Sequence, residues 1–297
     1  MIPFFHIWRL TVPTFGLMVA SAMVAAYFML RAEIWRRGLA PDRTAANAEA
    51  EIFIAVPSLA GIVGAKLYHE LQSPAELFAH PFRQMVSPYG FAWFGGLLAG
   101  FAAFVWLARS HKIPLLEMLD AGSPAAALGY GIGRIGCFLS GDGDYGVPTT
   151  LPWGMSFPNG LVPTNERVHP TPLYELIAAC LIAWWLWRLG ARQIAGRAAR
   201  QAASESARKT ATTNRTKAVL PDAKSGTPAR EPNLPAGAIF ACYLLLTGGE
   251  RFLVEFIRIN PRSFLGMSNA QTASVFSMLV GGGLWWRLRR PREQSTP

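Results

Sequence analysis

Seven stretches of about twenty mostly apolar residues recur along the chain, near 10–30, 52–71, 90–108, 115–140, 171–189, 237–257 and 270–287. Their length matches the roughly 20 residues that an α-helix needs to cross a hydrocarbon core about 30 Å thick. No water is present in that core to satisfy free backbone groups, so each stretch is expected to be a helix. The expected fold is an all-α polytopic membrane protein of about seven transmembrane helices. Two stretches interrupt the pattern. Residues 142–169 are rich in Gly, Pro, Asp and Asn and predict a periplasmic loop region. Residues 190–236 carry Ala, Arg, Lys, Thr, Ser and Pro with no sustained apolar face, and predict a long, disordered, basic cytoplasmic loop. The chain therefore divides into spans one to five (1–189), that loop (190–236), and spans six and seven with a basic tail (237–297).

Composition alone does not choose between a membrane protein and a large soluble domain: 51% of residues are apolar and 15% charged. The formal net charge of +10 is informative through its placement. Basic residues sit in the segment 31–43 (Arg31, Arg36, Arg37, Arg43), the turn Arg109–Lys112, the loop 188–230 and the tail Arg287–Arg292. They are not interleaved with stacking aromatics along one face, which argues against a nucleic-acid partner. Seven spans with the N-terminus outside would put all four segments on the cytoplasmic side, as the positive-inside rule requires. The expected location is a bacterial plasma membrane, multi-pass, with a periplasmic N-terminus and a cytoplasmic C-terminus. A cleaved signal peptide is disfavoured, because the first apolar run is long and lacks a clear small-residue cleavage site. Cys137, Cys180 and Cys242 all lie within apolar stretches rather than in a spaced framework, so neither disulfides, metal nor cofactor is expected. No internal repeat signals a transporter built from inverted halves.

Charged residues inside the spans mark function by default, since each costs about 2.5–3.5 kcal/mol or more to place there. They are Lys66, Asp120, Arg134, Glu175, Glu250, Arg251, Glu255 and Arg258. On the sixth span Arg251, Glu255 and Arg258 follow at i, i+4 and i+7, which puts them on one helical face. They form either a salt-bridge ladder that holds the bundle or a cationic site in which Glu255 orients guanidinium groups. Arg134 sits in a run of glycines from Gly131 to Gly146, followed by Asp142 and Asp144. Small-residue packing accounts for the glycines but not for the arginine. A planar, permanently charged guanidinium suits a phosphate through paired hydrogen bonds. Arginines on spans four and six could therefore clamp one phospholipid headgroup. The segment from Arg167 to Glu175 leads into the fifth span; there Tyr174 suits an interfacial belt and His169 either a surface hydrogen-bonder or a base.

The ordered set of motifs resembles prolipoprotein diacylglyceryl transferase. It comprises Gly133-Arg134-Ile-Gly136-Cys137 through Gly146, Pro152-Trp-Gly, Phe157-Pro, His169-Pro-Thr-Pro-Leu-Tyr174-Glu175, Arg251-Phe-Leu-Val-Glu255-Phe-Ile-Arg258, then Gln271 and Ser274. The resemblance covers most of the chain outside 190–236. It implies an inner-membrane enzyme that moves a diacylglyceryl group from phosphatidylglycerol to the lipobox cysteine thiol of a lipoprotein precursor, leaving glycerol phosphate. By the same resemblance Arg134 and Arg251 match the family's arginines and are catalytic candidates; His169 is a third, as a group that could assist the thiol. Arg134, Gly136, Asp142, Gly146, Tyr174, Glu175, Arg251, Glu255 and Arg258 are the substrate-binding ones. Cations beside the leaving phosphate would lower the barrier by stabilising developing charge.

Three positions depart from the family pattern. Its His-Gly-Gly on the third span is Phe94-Gly95-Gly96 here, its Asn after Gly-Arg-x-Gly is Cys137, and its Tyr before Gly-Leu-Met on the first span is Phe15. Either His169 or Asp142 assists the thiol in place of the histidine, or the chain is an altered paralogue that handles anionic phospholipid without lipidating protein.

Overall fold

The computed structural model describes residues 1–72, 74, 92–216, 234–264 and 266–290. Among them are seven α-helices: α1 Thr14–Arg36, α2 Arg43–Gln72, α3 Trp93–Ser110, α4 Leu115–Ser140, α5 Thr171–Thr216, α6 Ala238–Val254 and α7 Asn269–Arg289. Each lies on one of the seven apolar stretches. Local chemistry sets their ends. Pro13 and Pro114 precede α1 and α4 with extended backbone, where a residue without a needed N–H is tolerated. Gly141, at φ 60°, closes α4 in the left-handed conformation. Ser268 and Gln271 form a reciprocal capping box at the start of α7.

Four of these helices are long and apolar enough to cross a membrane: α1, α2, α3 and the Thr171–Lys209 part of α5. The other three do not reach that measure. Helix α6 has 17 residues, and α4 carries Glu117, Asp120 and Arg134 among small residues. Helix α4 is also the most enclosed, with Met118, Asp120, Ala121, Ala125 and Ala127 at 2% exposure or less. A helix surrounded by protein meets little lipid and needs less apolar surface.

Two expectations about the ends change. The first apolar stretch, expected from residue 10, begins as a hairpin, β1 Phe4–Ile7 paired with β2 Leu10–Pro13, and becomes helical only at Thr14. The second change concerns 190–236. Residues 190–216 are not coil; they continue α5, which spans 46 residues, roughly 70 Å at 1.5 Å per residue. Ala, Arg, Gln and Lys are among the strongest helix formers, and a helix already nucleated in the bundle extends at little cost. Residues 217–233, with the prolines of that loop up to Pro232, lie outside the described residues, as do 291–297.

Helices α2 and α3 meet along a glycine seam in which a methyl group on Gly64 or Gly95 would collide with the opposite backbone. At one end of the bundle α1, α4, α5 and α6 are tied by buried polar groups. Asp120, fully buried on α4, accepts hydrogen bonds from the Gly237 and Phe240 backbone N–H groups at 2.9 Å each and from Gln193 Nε2 at 3.1 Å. Gln193 in turn accepts from Arg37 at 2.9 Å, Arg37 pairs with the buried Glu33, and Arg197 pairs with Glu117 at 2.7 Å. The basic segments around residues 36, 111, 190 and 288 gather at this end. The N-terminal hairpin sits at the other, where the Ile2 N–H donates to the Leu139 carbonyl at 2.9 Å.

Candidate functional site

The segment from Gly141 to Pro170 is ordered around a small core of its own. The Tyr145 ring stacks on Phe157 at 4.3 Å, with Val168 buried beside them. Its hairpin pairs β3 Met155–Phe157 with β4 Thr164–Val168. One strand-like contact docks this unit onto the chain after α6. Gly146 bridges Arg258, and the Val147 N–H donates to the Ile257 carbonyl at 2.8 Å. Gly146 has no room for a side chain: a Cβ would lie 2.8 Å from His169 Cβ and 3.1 Å from Thr171 Cγ2. A glycine at this point lets three segments meet and thereby fixes where Arg258 stands.

The expected helical face of Arg251, Glu255 and Arg258 is not one α-helix. Helix α6 stops at Val254, Glu255–Ile257 form a 3-10 turn, and Arg258 is extended. The tighter turn still brings them together, with Arg251 Nη2 at 3.1 Å and Arg258 Nε at 3.9 Å from Glu255 Oε2.

Glu175, one turn into α5 and fully buried, stands at the centre. Arg134 Nε from α4 lies 3.2 Å from Glu175 Oε2, Arg258 Nη1 lies 3.4 Å from the same oxygen, and Arg251 pairs with Oε1. Tyr130 donates to Glu175 Oε1 at 3.1 Å, and its ring lies under the Arg134 guanidinium at 4.8 Å. Asp144 completes the ring, one oxygen on Arg134 and the other on Arg258. Three arginines thus face three carboxylates, with the fully or nearly buried Glu175 and Glu255 behind and Asp144 in front. The side chains of Arg134 and Arg251 are 16% and 23% exposed, so an incoming anion could reach them.

Burial pushes the Asp142 carboxyl above its usual range, and the neighbouring Asp144 adds to that. Burial acts on Asp144 in the same sense, yet the Arg258 and Arg134 guanidiniums outweigh it and hold this carboxyl below its usual range. Cys137, Asp142 and Asp144 bring metal-ligand atoms within 4.8 Å of one another. Arg134 donates to both Cys137 and Asp144, so a permanent cation already occupies that neighbourhood.

The structure thus brings together Arg134, Glu175, Arg251, Glu255 and Arg258, with Asp142 and Gly146 alongside. Gly136 has a packing role: a Cβ there would lie 3.1 Å from Phe15 and Met18 of α1. The departure at Phe15 therefore touches the arginine-bearing helix directly. His169 and Tyr174 form a neighbouring group, Nδ1 to hydroxyl at 3.2 Å, with Trp153 Nε1 donating to the same hydroxyl at 2.8 Å. Asp144 and Tyr130 were not among the expected binding residues. Asp144 could be suspected from its place beside a glycine signature; nothing in the sequence marks Tyr130. Asp120, expected as a charge with a function, serves instead to hold the N-terminus of α6, and Lys66 pairs with Glu70 on α2 at 2.9 Å.

The sequence profile described as prolipoprotein diacylglyceryl transferase matches residues 3–204 and 225–287. Curated relatives agree in name. The phosphatidylglycerol–prolipoprotein diacylglyceryl transferase of Geobacter sulfurreducens is 32% identical over 281 residues, covering 93% of this chain and 86% of its own length. That of Clostridium tetani is 28% identical over 280 residues, covering 93% of each. That of Synechococcus elongatus is 33% identical over 202 residues, covering 63% of this chain and 65% of its own. With the match running through every element of the arginine site, the chain belongs to the prolipoprotein diacylglyceryl transferase family.

Proposed function

We propose that this bacterial membrane protein transfers a diacylglyceryl group from phosphatidylglycerol to the lipobox cysteine thiol of lipoprotein precursors, forming a thioether and releasing glycerol phosphate. The observation that carries the reading is the convergence of Arg134 from α4 and Arg251 from α6 on the buried Glu175, both guanidiniums still partly exposed. A headgroup phosphate reaching them takes over on Arg134 the hydrogen-bonding direction that Asp144 now uses and meets the exposed part of Arg251, and its oxygens suit the paired N–H groups. As the bond between the glycerol carbon and the phosphate oxygen breaks, the growing negative charge falls between two fixed cations, which need no reorganisation at that moment. Glu175 and Glu255 keep those cations in place. Gly146 holds the outer unit against Arg258, and His169 orients Tyr174 at the rim beside it.

In this reading all seven helices span the bilayer. The N-terminal hairpin and residues 141–170 face the periplasm, where precursors emerge, and the basic end with the extended α5 faces the cytoplasm, as the positive-inside rule requires. The relatives' names favour protein lipidation over mere handling of anionic phospholipid. The test is direct: membranes containing the protein are incubated with labelled phosphatidylglycerol and a lipobox peptide. Label on the cysteine is expected, and lipid binding without label on the peptide would transfer the reading to the altered paralogue.

A further inference from the structure

The transferase reading leaves one requirement without an owner, because a thiol is a poor nucleophile until its proton has been taken away. The third-span position where the family pattern has histidine is Phe94, 41% exposed and packed edge-on against Trp93 at 5.2 Å. The His169 ring is engaged with Tyr174, and Asp142 accepts from the Asp144 N–H at 3.2 Å and is hydrogen-bonded to Cys137.

Glu250 is different. It precedes Arg251 on α6, turned about 100° from it around the helix, and it is half-buried. Its electrostatic neighbours are Arg251 on its own helix, Glu175 on α5, Arg134 and Tyr130 on α4, and Arg258 beyond the 3-10 turn. It therefore borders the same cluster. Asp144, Glu175 and Glu255 each hold an arginine; among the described residues Glu250 holds none. Its Oε1 is buried with no hydrogen-bond partner. A buried carboxylate oxygen without a donor is costly, and a donor brought by the substrate would remove that cost.

We propose that Glu250 is the general base that takes the proton from the lipobox thiol. The assignment rests on the transferase reading. The S–H proton passes to the Glu250 carboxylate as sulfur attacks the glycerol carbon that carries the phosphate ester. The C–S bond forms and the C–O bond breaks, the electron pair leaves with the phosphate beside Arg134 and Arg251, and Glu250 then returns its proton to water.

The test compares the full-length wild type with Glu250→Gln and Glu250→Asp in phosphatidylglycerol vesicles, using two lipobox peptides, one with cysteine and one with selenocysteine. A selenol is already ionised at neutral pH and needs no base. Glu250→Gln should slow transfer to the thiol peptide about 100-fold or more, in kcat rather than in KM for the lipid. It should leave transfer to the selenol peptide within about threefold of wild type, while Glu250→Asp keeps an intermediate rate on the thiol. Equal slowing of both peptides, which is what a structural role or misfolding produces, would overturn the assignment, and so would an undiminished thiol rate. A wild type inactive on both peptides would instead sink the transferase reading and the base with it.

Discussion

Helix α4 carries a polar cluster near each end, and the two are built in opposite ways. At its N-terminal end Asp120 is fully buried and its carboxylate is taken by two backbone N–H groups and the Gln193 amide. Every partner belongs to the frame of the bundle, and the result is a closed joint between α4, α5 and α6. Near its C-terminal end Arg134 pairs with the buried Glu175 on one side and with Asp144 on the other. Asp144 is 31% exposed and sits on a connecting segment rather than on a helix. Both clusters hold costly charge inside a bundle. Only the second keeps one member that another anion could replace, and that asymmetry separates a brace from a binding site.

The comparison breaks most decisively at the arginines. Arg134→Ala or Arg251→Ala is expected to lower the rate of label transfer to a lipobox peptide about 100- to 1,000-fold, the range seen when a fixed donor to a developing anion is removed. Wild-type rates in either variant would make the cluster around Glu175 a second brace. Next comes Gly146→Ala, which forces the outer unit away from Ile257 and His169 and displaces Arg258. A loss of about 10- to 100-fold in the same assay is expected, with the variant still recovered from the membrane in normal amount.

Asp120→Ala should act on stability instead. It strands the Gly237 and Phe240 backbone N–H groups and takes one of the two acceptors of the Gln193 amide, each lost partner costing about 1–3 kcal/mol, so detergent-solubilised protein should unfold at a clearly lower temperature. The folded fraction should transfer label within about twofold of wild type. A selective loss of rate at unchanged thermal stability would erase the distinction between the two ends. The smallest effect concerns acid. A carboxylate held below its usual range, such as Asp144, contributes stability that is present above the ordinary value near 4 and lost only as pH falls through the lower folded value. Asp142 is raised, so protonating it on the way down relieves repulsion rather than adding to the loss. Cleavage of the 147–163 region by pepsin should therefore be slow at pH 5 and become rapid only below about pH 4.

The cluster around Glu175 is more legible in the sequence than the one around Asp120, for a physical reason. An arginine among glycines, or Arg-x-x-x-Glu-x-x-Arg in an apolar run, contradicts its surroundings and announces itself. Glu33, Arg36 and Arg37 stand at the edge of an apolar run, where charge is ordinary, and Gln193 lies in a segment whose composition resembles coil. Their burial follows from how four helices converge, which no local pattern records. The helical continuation to Thr216 is not marked in the sequence because its composition also fits a soluble loop. The hairpin at 4–13 was absorbed into an apolar stretch whose start is set by Pro13. Asp144 does not stand out in the sequence because its partner Arg258 is 114 residues away, joined to it through the Gly146 bridge.

The joint at Asp120 has a consequence for the integrity of the polypeptide. The start of α6 is set by a side chain of α4, and the Pro235 carbonyl accepts from Gln193 at 2.8 Å, so the position of α6 is dictated by docking rather than by tethering. Backbone continuity between α5 and α6 is therefore expected to matter little for the register of α6. Two separately translated pieces, one ending after α5 and one beginning before α6, are expected to assemble through these contacts, and their co-purification from one membrane would check it. The same stretch is where a foreign domain could be spliced in without disturbing the arginines at the far end.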